Sequence, residues 1–298
     1  MFQFKKILIP LDGSELAERA LQPALSIAQA TSATLVLLRV IPPLFLSVDP
    51  IVYDQISQQS EDEALAYLRD LQSRQIPPET AVHLVTISGP IAGTILQYAQ
   101  EHACDLIIMS SHGRSGVSRW VYGSVAEKVL HGACCHVFII RAQIESELFT
   151  HKRILVPLDG SELAEKALPP AVSLAHALGV EIVILGVIPP AHLTIETTTM
   201  KQQADYLESH ESEDAQAYMQ TIRASLSGQN LINQVETIKG PVAETIIDYA
   251  NTHRIDLIVM SSHGRSGIGR WIFGSVTEKV LRGASVATFV IRGNSGKP

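Results

Sequence analysis

The sequence lacks the two signatures by which phosphate-binding loops are most readily read. It has no Walker A lysine and no GxGxxG spacing. Cysteine is scarce. Cys104, Cys134 and Cys135 all lie in the first half. Adjacent cysteines do not form a spaced metal site, and three are too few for a disulfide framework. They read as reduced core residues of a cytoplasmic protein. Positive charge is in deficit, with 23 Lys and Arg against 30 Asp and Glu. The net charge of −7 excludes the basic footprint of a nucleic-acid binder. No apolar run reaches the length of a membrane span. The opening MFQFKKILIPLDG has two lysines and a short apolar run broken by Pro10 and Asp12, too short for a signal peptide. What is present is a globular composition, 46% hydrophobic and 18% charged, over 298 residues. That length suits two domains.

The chain repeats itself. Lys5–Leu21 (KKILIPLDGSELAERAL) returns at His151–Leu168 as HKRILVPLDGSELAEKAL. Asp12 maps to Asp159 and Gly113 to Gly264, offsets of 147 and 151 (159 − 12 and 264 − 113). The second copy is therefore four residues longer between its second and third strands, in the segment around Leu193–Leu226. The period is far longer than a solenoid repeat, so each copy is a whole domain, expected at 1–145 and 146–298.

Within one copy, strand and helix patterns alternate. Lys6–Leu11, Thr34–Val40, Val82–Ile87, Asp105–Met109 and His136–Arg141 are short aliphatic runs that read as buried strands. Between them, Leu16, Ala20, Ala24 and Ile27 have helical spacing, Glu61–Ser73 reads as a helix, and helices start at Gly89-Pro90 and at Gly123. Pro42-Pro43 opens a segment that reads as long and irregular. The fold class is α/β, with two tandem Rossmann-like domains. Each is a five-stranded parallel sheet, expected in the order 3-2-1-4-5, with helices on both faces. Ligands of such sheets bind outside the carboxyl ends of the strands, where the strand order reverses. Asp12, Val40 and the loop from Ser110 to Ser124 fall at such ends.

That loop, SSHGRSGVSRWVYGSVAEKVL at Ser110–Leu130, recurs as SSHGRSGIGRWIFGSVTEKVL at Ser261–Leu281. Its chemistry suits an anion cradle. Gly113 and Gly116 allow a ligand to approach the main chain. Ser124 and Val125 open a helix, whose free N–H groups and positive dipole end suit phosphate. Arg114 and Arg119 carry charge for such contacts. A structural reading stands beside this one. Ser124 with Glu127 forms the capping-box pattern, which needs no ligand. Asp12 is either a ligand contact or a helix cap. Arg119 and Trp120 suit packing, and His112 suits local hydrogen bonding better than catalysis.

The combination of KILIPLDGSELAERAL, the GP helix starts, DLIIMSSHGRSG and GSVAEKVL resembles the universal stress protein family, over both halves of the chain. The family's nucleotide-binding branch carries Gly, two residues, Gly, nine residues, Gly, then Ser or Thr. Gly113 with Gly123-Ser124 matches this pattern, and so does Gly264 with Gly274-Ser275. Its leading glycine falls at Ser110 and Ser261, a departure that is costly only if that position needs a positive φ. The resemblance implies ATP, with ADP or AMP as alternatives and magnesium brought in by the phosphates. It places Pro10, Asp12 and Val40 around base and ribose, and Gly113, Gly123, Ser124 and Val125 around the phosphates. Ser110, Arg114 and Gly116 complete the first site. The second comprises Pro157, Asp159, Val187, Ser261, Gly264, Arg265, Gly267, Gly274, Ser275 and Val276. The family's habit of pairing domains through the fifth strand implies an intramolecular pseudo-dimer, covering edges at Phe138–Ile140 and Phe289–Ile291, and allows a further homodimer.

Three functions compete. The first is a nucleotide-dependent stress-response module read by an unknown protein partner. The second is a slow ATPase or phosphotransferase, which needs a water-positioning base and usually a metal site. Only Asp12 and His112 stand as local candidates, so weak turnover at most is expected. The third is an interaction protein with empty sites, against which the intact glycine spacing argues.

Overall fold

The computed structural model describes residues 3–43, 49–111, 122–141, 149–190, 198–226, 231–264 and 273–292. Side chains of 198–211 and of 232 and 233 are not described. The chain divides into two compact units, the second beginning at Phe149. The expected boundary after residue 145 lies outside the described residues.

The first unit contains, in chain order, β1 (Lys6–Pro10), α1 (Glu15–Glu18), α2 (Leu21–Thr31), β2 (Thr34–Ile41), α3 (Pro50–Gln75), β3 (Val82–Ser88), α4 (Ile91–Glu101), β4 (Leu106–Ser110), α5 (Ser124–Gly132) and β5 (His136–Ile140). Every strand pair is parallel, in the order β3-β2-β1-β4-β5. Register is fixed by contacts such as Ile7 opposite Leu35 on one side and Leu106 on the other. Ile7, Leu8 and Ile9 are fully buried. Both faces of the central strand are covered, and this is why it reads as an aliphatic run rather than an alternation.

The second unit repeats the plan with β6 (Arg153–Leu158), α6 (Glu162–Glu165), α7 (Leu168–Leu178), β7 (Glu181–Ile188), α8 (Thr198–Leu226), β8 (Ile232–Lys239), α9 (Val242–Thr252), β9 (Leu257–Ser261), α10 (Ser275–Gly283) and β10 (Ala287–Ile291). Its strands are ordered β8-β7-β6-β9-β10, again all parallel. Leu155, Leu185, Ile258, Ile246 and Val280 belong to one cluster that seats α9 and α10 on the sheet.

One element departs from its sequence expectation. The segment after Pro43 reads as irregular up to Glu61, yet α3 begins at Pro50. Asp49 caps it, its carboxylate accepting from the Ile51 amide at 2.9 Å, and Pro50 sits in the first turn, where its missing N–H costs nothing. The first turns of α3 are exposed all round; Ile51 is 70% exposed. They therefore carry no apolar period from which a helix can be read.

Candidate functional site

In each unit the first strand has the second strand on one side and the fourth on the other. The chain winds outward in both directions from it, so the loops after β1 and β4, and after β6 and β9, flank the crevice at the reversal point.

The loop after the first strand is built by one carboxylate. In the second unit Asp159 Oδ1 accepts from the Ser161 amide at 3.0 Å and from the Ser161 hydroxyl at 2.6 Å. Ser161 Oγ in turn accepts from the Ala164 amide at 3.1 Å and caps α6. The turn requires a φ of 82° at Gly160, open to glycine at little cost. Asp12, Gly13 (φ 81°), Ser14 and Ala17 repeat this arrangement in the first unit. The cap of α1 is therefore Ser14, and Asp12 holds the cap in place. The sequence marks Asp12-Gly13-Ser14-Glu15 as a turn and helix start with Asp12 as the candidate cap; the structure gives the cap to Ser14, and to Ser161 in the second unit.

The other oxygen of the second carboxylate faces across the crevice. Asp159 Oδ2 lies so close to Cα of Gly264 that a Cβ there would overlap it. Gly274 stands beside the same backbone. A Cβ built on it would lie 3.8 Å from the Gly264 amide nitrogen. The structure thus brings Asp159, Gly264 and Gly274 together, although they are far apart in sequence.

The helix start differs from the capping-box reading. Gly123 and Gly274 are the N-caps, with φ −59° in each, and Ser124 and Ser275 are the first residues of α5 and α10. Neither helix has a side-chain cap. The cap glycines have no side chain to offer, and Ser124 lies one position too late to reach back over the helix end. The Gly123 amide donates to the Ser111 carbonyl at 2.9 Å, and the Gly274 amide to the Ser262 carbonyl at 3.0 Å. Those amides lock the loop. The first-turn amides that follow, of Ser124, Val125 and Ala126 and of Ser275, Val276 and Thr277, precede the first intrahelical bonds, from Glu127 to Gly123 and from Glu278 to Gly274. The Ser124 and Ser275 side chains are exposed.

Ser110 and Ser261 answer the question raised by the missing leading glycine. Each is the last residue of its strand, Ser110 opposite Ile140 and Ser261 opposite Ile291. Neither is among the residues with positive φ, so serine is unstrained there. Both are buried. The Ser261 carbonyl accepts from Thr277 Oγ1 at 3.0 Å, which ties the end of β9 to the first turn of α10. Pro10 ends β1, and Pro157 lies next to the end of β6. Val40 and Val187 stand two residues beyond the partners of those prolines in β2 and β7. Gly113, Arg114, Gly116, Arg265 and Gly267 lie outside the described residues, as do His112, Arg119 and Trp120.

Three further features at this edge have only a weak sequence signal. The His263 ring nitrogen Nδ1 lies 3.0 Å from the Ser262 hydroxyl, while Nε2 is buried with no partner among the described residues. Arg141 and Arg292, directly after β5 and β10, are buried, and each guanidinium lies over a ring at 4.8 Å, Tyr122 and Phe273 respectively. Burial holds Arg141 below the usual arginine value, but a guanidinium stays charged at any ordinary pH. The buried arginines put positive charge beside the residues that lead into each helix start. The third feature is unequal between the units. Arg39 donates to the Leu11 carbonyl at 3.2 Å, next to Asp12, whereas its counterpart is Gly186, against which Met219 packs. No cluster of His, Cys, Asp or Glu among the described residues is arranged to hold a metal ion.

Crevice, glycine contacts and helix starts define a class: tandem α/β domains with a potential anion cradle at the reversal point of each sheet. The sequence profile of the universal stress protein family matches residues 3–141 and 150–292, and the chain belongs to that family. A universal stress protein of Methanocaldococcus jannaschii is 29% identical over 145 residues, covering 46% of this chain and 82% of that protein. One from Bacillus subtilis is 30% identical over 147 residues, covering 46% of this chain and 99% of its own. Among solved structures, a universal stress protein from Archaeoglobus fulgidus DSM 4304 superposes with a TM-score of 0.66 at 22% identity, covering 97% of both chains. That likeness shows the fold. No helix among the described residues is long and apolar enough to cross a membrane.

Proposed function

We propose that this protein is an adenine-nucleotide-binding regulatory module with one site per unit, taking ATP, or ADP or AMP, with magnesium carried on the phosphates. The observation that supports this most is the meeting of Asp159, Gly264 and Gly274 at the reversal point of the second sheet. A side chain at 264 would fill the space beside the carboxylate, so the glycine keeps the main chain open to a ligand. The first-turn amides of Ser275 and Val276, and of Ser124 and Val125, suit phosphate. Asp159 and Asp12 suit ribose hydroxyls, and Pro10, Val40, Pro157 and Val187 supply an apolar rim for a base.

The reading is one of binding rather than turnover. The proposal extends to domains at 1–145 and 146–298, to pairing of the units through their fifth strands, to a homodimer, to a cytoplasmic setting and to a protein partner that reads the bound state. Heat-denaturing the purified chain and chromatographing the supernatant tests the binding directly. An adenine nucleotide near stoichiometric amounts is expected. An empty supernatant, together with a melting temperature unmoved by added ATP or AMP, would sink the reading.

A further inference from the structure

The chain's three cysteines meet at the amino edge of the first sheet, opposite the candidate site. Cys104 precedes β4, and Cys134 and Cys135 precede β5. These strands are parallel with Leu106 opposite His136, so two residues back on both strands brings Cys104 level with Cys134. Neighbouring strands lie about 4.8 Å apart, inside the Cα separation of about 4.4–6.8 Å that a disulfide spans. Consecutive residues, at about 3.8 Å, fall short of that range, which disfavours Cys134 with Cys135. Cys134 is exposed, Cys104 and Cys135 are buried, and all three are thiols. The Cys135 and Cys134 side chains interact by a hydrogen bond.

The second unit has no counterpart. Ile255, Ser285 and Val286 stand at the matching positions, 151 residues on. There the Ser285 hydroxyl reaches Asn251 Oδ1 at 2.5 Å. Asn251 is in the last turn of α9, four residues before Ile255.

We propose that Cys134 and Cys104 form a reversible, hydroperoxide-sensitive dithiol in the first unit, with the Cys135 thiol orienting the Cys134 sulfur. The exposed Cys134 thiolate attacks a hydroperoxide. An S–O bond forms, the O–O bond breaks, and the leaving oxygen takes a proton, giving a sulfenic acid and water or alcohol. The Cys104 sulfur then gives up its proton and attacks the sulfenic sulfur. An S–S bond forms, the S–O bond breaks, and hydroxide leaves with that proton as water. Overall, two thiols and one hydroperoxide become one disulfide, one water and one water or alcohol. Burial pushes Cys104 up to about 11, so it remains a thiol at neutral pH and does not compete for the oxidant. Cys134 also lies just beyond α5, so the bond would fix the carboxyl end of the helix whose amino end opens on the candidate site.

The test is hydrogen peroxide treatment of the full chain, followed by thiol titration under denaturing conditions and peptide mapping without reductant. The wild type is expected to lose a pair of thiols, to recover them with dithiothreitol, and to yield a peptide joining Cys104 to Cys134. Cys134→Ser, which installs the second unit's residue, should keep its remaining thiols and its melting temperature. Cys135→Val, likewise the second unit's residue, should form the same bond more slowly. Retention of all three thiols, a Cys134–Cys135 linkage, bonds only between chains, or irreversible over-oxidation without a disulfide would overturn the proposal. An unchanged rate in Cys135→Val would remove the role given to Cys135.

Discussion

Asp159 and Gly264 are in contact: the carboxylate oxygen Oδ2 occupies the space that a Cβ at residue 264 would need. The other oxygen, Oδ1, is already held by the amide and hydroxyl of Ser161. The carboxylate therefore has little freedom to move aside, and the two loops of the second unit are adjusted to each other through this one contact.

Gly264→Ala forces the carboxylate or the loop to shift. Nucleotide affinity at the second site should fall tenfold or more, about 1.4 kcal/mol, while the melting temperature drops only slightly. Isothermal titration with ATP in a chain whose first site is disabled reads the effect. Gly186→Ala is the control. Its Cβ meets only the Met219 side chain, most tightly at the flexible Cε end, so affinity should hold.

Asp159→Ala removes the acceptor for two groups of Ser161, and Asp12→Ala does the same for Ser14. Each loses a charge-assisted pair of bonds at a partly exposed loop. A loss of about 1–2 kcal/mol is expected for each, read as a shift of the urea midpoint with an unchanged slope. If the carboxylates also hold ribose, nucleotide retention falls further than stability accounts for.

Gly160→Ala and Gly13→Ala place a Cβ where φ is 82° and 81°. The left-handed backbone region costs about 1–2 kcal/mol for a residue with a side chain. Both variants should lose stability of that order, and a drop in melting temperature measures it.

Tyr67 donates to Glu18 Oε1 at 3.1 Å, and Gln75 donates to the other oxygen at 3.2 Å, tying α3 to α1. Burial, and then the Glu18 carboxylate, hold the Tyr67 phenol well above its ordinary value. The folded state keeps this proton longer than the unfolded chain does. The contribution is therefore full below the unfolded value of about 10 and is lost as pH rises beyond it toward the folded value. Tyr67→Phe should cost about 1 kcal/mol at neutral pH and should flatten the alkaline loss of stability. Urea unfolding at a series of pH values compares the two slopes.

Short-range pattern made much of this protein legible. The duplication is visible because KILIPLDGSELAE and GSVAEKVL are nearly unchanged between halves. The alternation is visible because strands buried on both faces read as aliphatic runs, and turn residues separate them. The start of α3 escaped because an exposed helix carries no apolar period. The helix caps were misassigned because Ser124 and Gly123 are adjacent and both are acceptable caps. Only the backbone path, with the Gly123 amide tied to Ser111, distinguishes them.

The sequence alone determined the fold class, the repeat and the family, because all three rest on local propensity, spacing and identity along the chain. Tertiary structure decided which distant residues touch. Asp159 meets Gly264, the cap glycine Gly274 closes on the same loop, and Cys104 comes level with Cys134. Each contact depends on the register of parallel strands joined by long crossovers. A shift of that register would leave every local pattern intact and separate all three.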